Sequence, residues 1–191
     1  MSTNRLEAFS DGVFAIIITI MVLELKIPEN SGWEELLKLL PVFLTYIISF
    51  IYVGIYWNNH HHLFQIGEKV NGQILWANLH LLFWLSLMPF ATGYMGHNHF
   101  EPIPTALYGF VLFMNATAWE ILAQKMIKFE GQTSQIAQIY KGDKKKYISI
   151  ILYLLGIGLS FFAVKVALFL YFLVAILWII PDKRFENQRS S

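Results

Sequence analysis

The sequence has 191 residues, no cysteine, 56% hydrophobic, 16% aromatic and 14% charged side chains, and a formal net charge of +1. Soluble domains carry about a quarter charged residues, so a disordered chain, a disulfide-stapled module and a basic nucleic-acid binder are excluded. Thiol catalysis, thiolate zinc sites and iron–sulfur clusters go with the missing cysteines, and the class that remains is an all-α membrane protein.

A spanning helix needs about 20 mostly apolar residues to cover roughly 30 Å of hydrocarbon. Six stretches approach that length: 12–27, 39–59, 74–94, 104–122, 148–164 and 166–180. The first stops before Pro28. Residues 33–40 then read as a short interfacial helix leading into Pro41, with Trp33 at headgroup level. The segment 131–146 is polar enough for a loop with some helix, and a tight turn around Lys165 separates the last two spans. The six spans use most of the chain, so 1–191 reads as a single six-span domain. The N-terminus lacks the basic region and small-residue cleavage site of a signal peptide.

Charge sets the orientation. With six spans, both termini share one side with the loops 65–73 and 125–147. That side holds Arg5, Lys69, Lys125, Lys128, Lys141, Lys144, Lys145, Lys146, Lys183, Arg184 and Arg189. Only Lys26, Lys38 and Lys165 lie opposite, with Glu24, Glu29, Glu34, Glu35 and Glu101. The positive-inside rule makes both termini cytoplasmic. The run Lys144–Lys146 reads as a topology signal that meets anionic headgroups.

The first span carries polar residues at its head, Ser10 and Asp11, and closes on Glu24 and Lys26. A lipid-facing carboxylate costs a few kcal/mol. Two readings of Asp11 follow: it caps the helix by accepting from free N–H groups, or it turns inward against polar partners. Span two ends in Trp57, Asn58, Asn59, His60, His61 and His62, and span three begins with Asn78 and His80 near its start. Arg5 and Asp11 share that depth, so an internal hydrogen-bonded network is the natural way to satisfy these groups.

Adjacent helical histidines point about 100° apart and cannot all bind one ion. No HExxH, GxSxG, paired-carboxylate motif or glycine-rich phosphate loop is present. The expectation is therefore a protein that is not an enzyme and has no metal site or cofactor. Along span one, Ile16, Ile20, Leu23 and Ile27 form a continuous stripe beside Thr19, the one hydroxyl midway. Such a stripe is ordinary packing or a pore face; spacing alone leaves both open.

Three blocks carry a resemblance. Arg5-x-x-x-Phe9-Ser10-Asp11, continuing as Gly12-Val13-Phe14-Ala15-Ile16, is followed by Trp57-x-Asn59-His60-His61-x-x-Phe64. Asn78 then precedes Ser86-Leu87-Met88-Pro89-Phe90. In this order they resemble the signature of the lysosomal potassium channel family, transmembrane protein 175, and above all its single-repeat prokaryotic members. The likeness covers the first half of the chain by motif and the rest by topology.

The resemblance implies a homotetramer in the plasma membrane with the first helix of each subunit lining a central pore. It places the apolar constriction at Ile16, a hydroxyl layer at Thr19 and further apolar rings at Ile20 and Leu23. It also implies that Arg5, Phe9, Ser10, Asp11, His60, His61 and Asn78 belong to a structural network bracing that helix. The implied partners are membrane lipids and monovalent cations, potassium foremost, with no nucleic acid. No TVGYG loop exists in the sequence, so selectivity must arise otherwise. Glu24 near the outer mouth reads either as a cation concentrator or as ordinary interfacial exposure. The competing expectations are a proton-coupled secondary transporter using Asp11 with His60 and His61, and an intramembrane metalloenzyme centred on the histidines.

Overall fold

The computed structural model describes residues 3–67, 69–142 and 144–179. Among these, nine helices follow one another: α1 (Thr3–Leu23), α2 (Trp33–Lys38), α3 (Leu40–Ile66), α4 (Gly72–Ser86), α5 (Met88–His97), α6 (Pro102–Glu130), α7 (Gln135–Tyr140), α8 (Lys145–Leu159) and α9 (Val164–Ile179). The end of the sixth expected span at Ile180, together with Lys183, Arg184 and Arg189, lies outside the described residues.

Four segments are long and apolar enough to cross a membrane: α1, α3, the pair α4–α5, and α6. The expected spans at 148–164 and 166–180 fall on α8, of 15 residues, and on α9, whose described part has 16. The turn joining them is Ser160–Ala163 rather than Lys165, which lies within α9. Ser160 closes it by donating its hydroxyl to the Gly156 carbonyl at 2.8 Å.

Other boundaries move for identifiable reasons. α1 is already helical at Thr3, the first described residue, and not only from Gly12: Arg5, Leu6, Glu7 and Ala8 favour helix, and Glu7 meets His61 near the end of α3. It ends at Leu23, where tight i→i−3 bonds bring Glu24 and Leu25 back onto Met21 and Val22. Ile27 therefore lies beyond the helix and off the stripe expected for it. α3 runs past Asn59 to Ile66 and stops at Gly67. α6 runs past Leu122 to Glu130 and stops at Gly131, whose φ of +101° is a conformation that favours glycine. The expected third span is broken at Leu87, two residues before Pro89, which has no N–H to give to the preceding turn. Asn71 caps α4 by accepting from the Ile74 amide at 3.0 Å.

α1 packs on α3, α4 and α5, while α6 packs on α4, α5 and α8, with α9 closing against α3, α6 and α8. Lys125 of α6 reaches Gln73 of α4 at 3.3 Å, and Lys146 of α8 reaches Glu120 of α6 at 2.7 Å. The start of α4, the last turns of α6 and the start of α8 thus share one end of the bundle. In the core, Tyr171 of α9 fits against Gly109 and Gly156, where a Cβ would collide with its ring or hydroxyl. Ser49 bridges Tyr108 at 3.0 Å and Thr92 at 2.7 Å, so these buried hydroxyls are paired.

Candidate pore helix and its bracing network

The two faces of α1 differ sharply. Leu6, Ser10, Phe14, Ile17 and Met21, at spacings of three and four, point into the bundle. Ile17 is 2% exposed and Met21 0%. On the other side Ile16 is 57% exposed, Ile20 45% and Leu23 76%, with Phe9 at 54%. Thr19 lies on the exposed side and donates its hydroxyl to the Ile16 carbonyl at 2.8 Å. Next to this face, Val13, Ile16 and Ile20 with Ser86, Pro89 and Phe90 enclose a groove of about 480 Å³.

The inward face is fixed by a directional chain of hydrogen bonds. Asn78 of α4 donates Nδ2–H to Ser10 Oγ at 2.9 Å, and Ser10 donates onward to the Leu6 carbonyl at 2.8 Å. The Asn78 amide oxygen is left to accept, so His60 of α3 donates Nε2–H to it at 2.8 Å. That bond fixes the His60 tautomer if the ring is neutral. Ser10, His60 and Asn78 are fully buried, and the His60 ring lies between Phe14 and Phe64.

One turn away, Asp11 Oδ1 accepts from Trp57 Nε1 at 2.9 Å. Asp11 is the ninth residue of α1, not its cap, so the capping reading is overturned. His61 meets Glu7 at 2.6 Å through Nδ1 and Gln65 at 2.8 Å through Nε2. A neutral ring satisfies both, donating from Nδ1 and accepting at Nε2. Three helices are therefore tied at one level through Ser10, Asp11, His60, His61 and Asn78.

Arg5 does not join them: it is exposed and makes no ion pair among the described residues. Phe9 is exposed and lies outside the hydrogen-bonded chain. Nothing in the sequence singles out Glu7 or Gln65, although Glu7 stands one helical turn before Asp11. Glu24 is drawn toward α5 instead of projecting freely. Its Oε2 lies 3.5 Å from His97 Nε2, and the carboxylate sits where a Cβ on Gly93 would come within 2.5 Å. Among the described residues, no group of three or more histidines and carboxylates is arranged to hold a metal.

The sequence model described as "Endosomal/lysosomal potassium channel TMEM175" matches residues 5–89, the stretch that carries α1, the network and the α4–α5 break. A potassium channel of Chryseobacterium sp. (strain P1-3) is 61% identical over 98% of this chain and 97% of its own. A potassium channel of Chamaesiphon minutus is 30% identical over 91% of this chain and 92% of its own. The crystal structure of a lysosomal potassium-selective channel TMEM175 homolog from Chamaesiphon minutus superposes with a TM-score of 0.80 at 28% identity. That superposition covers 93% of this chain and 96% of the other.

Proposed function

The chain belongs to the TMEM175 channel family, and on that premise we propose that it is a potassium-permeable cation channel whose pore is lined by α1. The proposal has four copies of the 1–191 domain surrounding one axis, each contributing the face that bears Ile16, Ile20 and Leu23. The observation that carries it is the asymmetry of α1. Its inner face is buried and tied by hydrogen-bonded polar groups, whereas Ile16, Ile20 and Leu23 on its apolar outer face stay exposed among the described residues.

The chemistry of that face supports conduction with a hydrophobic gate. A ring of Ile16 side chains closes a narrow path by steric block and dewetting, and a small outward movement of the helices lets it wet. Thr19 spends its proton on the Ile16 carbonyl, so its oxygen offers lone pairs outward, which suits a cation shedding hydration water. Glu24, held beside His97, keeps a carboxylate near the opposite end of α1, and repeated by symmetry it raises the local cation concentration. Ser10, Asp11, His60, His61 and Asn78 hold α1 in register and take no part in chemistry, as suits a channel and not an enzyme. The lysines at the end that holds Lys69, Lys125 and Lys144–Lys146 put that end, with the N-terminus, in the cytoplasm of a cell whose plasma membrane carries the channel.

A proton-coupled carrier would need Asp11 and His60 to exchange protons during transport. Both are engaged in bonds that tie helices together, and single-channel current steps distinguish the two mechanisms. The direct test is Ile16→Asn in purified protein reconstituted into liposomes. The polar ring should wet the constriction and raise potassium flux; unchanged flux would remove Ile16 as the gate.

A further inference from the structure

The outer end of α1 leans on α5 through a titratable pair. Glu24, just past Leu23, folds its carboxylate over the backbone of Gly93, where a Cβ would come within 2.5 Å of Oε2. The glycine leaves that seat open. His97, one turn further along α5, presents Nε2 at 3.5 Å from the same Oε2. That separation is long for a hydrogen bond, so charge is what joins the two groups, and an imidazole carries charge only when protonated. The His97 and Glu24 side chains are 35% and 38% exposed, open to protons from solution.

Glu24 also lines the groove beside the exposed face of α1, with Ile16, Ile20 and Phe90. Among the described residues it is the one charged side chain of that groove. The other charged groups at this end are Lys26, Glu29 and Glu34 after α1, Glu101 at the start of α6, and Lys38, which pairs with Glu35 at 2.6 Å. Tyr46 of α3 and Tyr94 of α5 lie toward the same end. Carboxylates, lysines and tyrosines ordinarily titrate outside the range from about pH 5 to pH 8, and histidines within it. That leaves His97 and, in the turn after α5, His99; His97 is the one paired with Glu24.

Resting on the reading that α1 lines the pore, we infer that His97 is a positioning residue whose protonation sets how much of the Glu24 charge reaches permeating cations. Protonated His97 offsets the carboxylate and holds it on the Gly93 seat. Neutral His97 leaves the full negative charge beside the pore face, and four copies repeat the change around the axis. A unit charge roughly 10 Å from an ion in water alters the local ion concentration about twofold. Potassium current should therefore fall as the outer solution is acidified from about pH 8 to about pH 5. The effect should fade in 1 M salt, where the Debye length is about 3 Å.

Single-channel recording of the full chain in excised patches tests this, with outer pH varied, inner pH fixed and potassium kept dilute. Outer acidification should lower the unitary current about twofold or more. His97→Gln should abolish the dependence and hold the current near its alkaline level, whereas Glu24→Gln should abolish it at the acid level or below. A merely structural role would not split the two variants in that way. Where His97→Gln fails to assemble, Gly93→Ala closes the seat and should weaken the dependence by displacing the carboxylate. His99→Gln should keep it. A current indifferent to outer pH overturns the inference, as does a dependence that survives His97→Gln, disappears with His99→Gln or persists undiminished in 1 M potassium. Those results leave the pore reading standing; no potassium current from the unmodified chain would defeat that reading and the inference with it.

Discussion

Ser10→Ala removes one oxygen from the bracing network and nothing else of consequence. The Leu6 carbonyl that Ser10 bonds already serves the helix ladder, so its loss is minor. Asn78 is left with a buried Nδ2–H and no acceptor, since both residues are 0% exposed. An orphaned buried donor costs about 1–3 kcal/mol. Interhelical bonds inside membranes average less, about 0.6 kcal/mol with a maximum near 1.7, because the loosened state finds other partners. Asn78 is poorly placed to do so: its oxygen is committed to His60 at 2.8 Å, which limits rotation of the amide. A coupling energy of about 1–1.5 kcal/mol between Ser10 and Asn78 follows, toward the upper end of that range. The assay is a double-mutant cycle of Ser10→Ala, Asn78→Ala and the pair, read as SDS-denaturation midpoints by tryptophan fluorescence. Ser86→Ala is the control, because that exposed hydroxyl serves only its own helix at Phe83 and its loss should stay within about 0.5 kcal/mol. A coupling below about 0.3 kcal/mol, within ordinary additivity, would refute the view that this chain fixes α1 to α4.

Asp11→Ala should lower the yield of assembled protein by stranding the Trp57 indole, whereas Asp11→Asn keeps an acceptor and should assemble normally on size-exclusion chromatography. A folded Asp11→Ala protein with altered potassium-to-sodium preference would instead make Asp11 a selectivity residue. Gly109→Ala should cost about 1–3 kcal/mol by forcing Tyr171 out of its seat. Tyr171→Phe in the same chain should restore part of that loss, because the hydroxyl is the atom met first; thermal midpoints of the three proteins decide it.

The existence of the first four spans was legible because hydropathy reports contact with lipid, and α1, α3, α4–α5 and α6 each carry a sufficient run. Their ends were not, because a helix stops where its backbone bonding stops. α3 and α6 continue through polar residues until Gly67 and Gly131, and α1 begins in polar sequence that pairs with α3. The break at Leu87 had its signal in Pro89. Helical geometry anticipated that the consecutive histidines would diverge, and His60 and His61 do reach different partners, Asn78 and Glu7. Depth alone suggested Arg5 as a partner for Asp11, but depth says nothing of azimuth. On α1 Arg5 turns outward, and the acceptor role falls to Asp11 toward Trp57. Glu7 carries no signal of its own, because a glutamate in a first turn reads as ordinary helix chemistry until the facing residue is known.

The chain has no native cysteine, so single substitutions along α1 report its surroundings without background. Cysteines at Ile16, Ile20 and Leu23, and at the buried Phe14, Ile17 and Met21, can each be tested for block of potassium flux by a small water-soluble thiol reagent. Block at the first three positions and none at the last three is the predicted pattern. Modification of Ile16→Cys and Leu23→Cys only by a lipid-soluble reagent, with flux undisturbed, would put that face against acyl chains and contradict the pore.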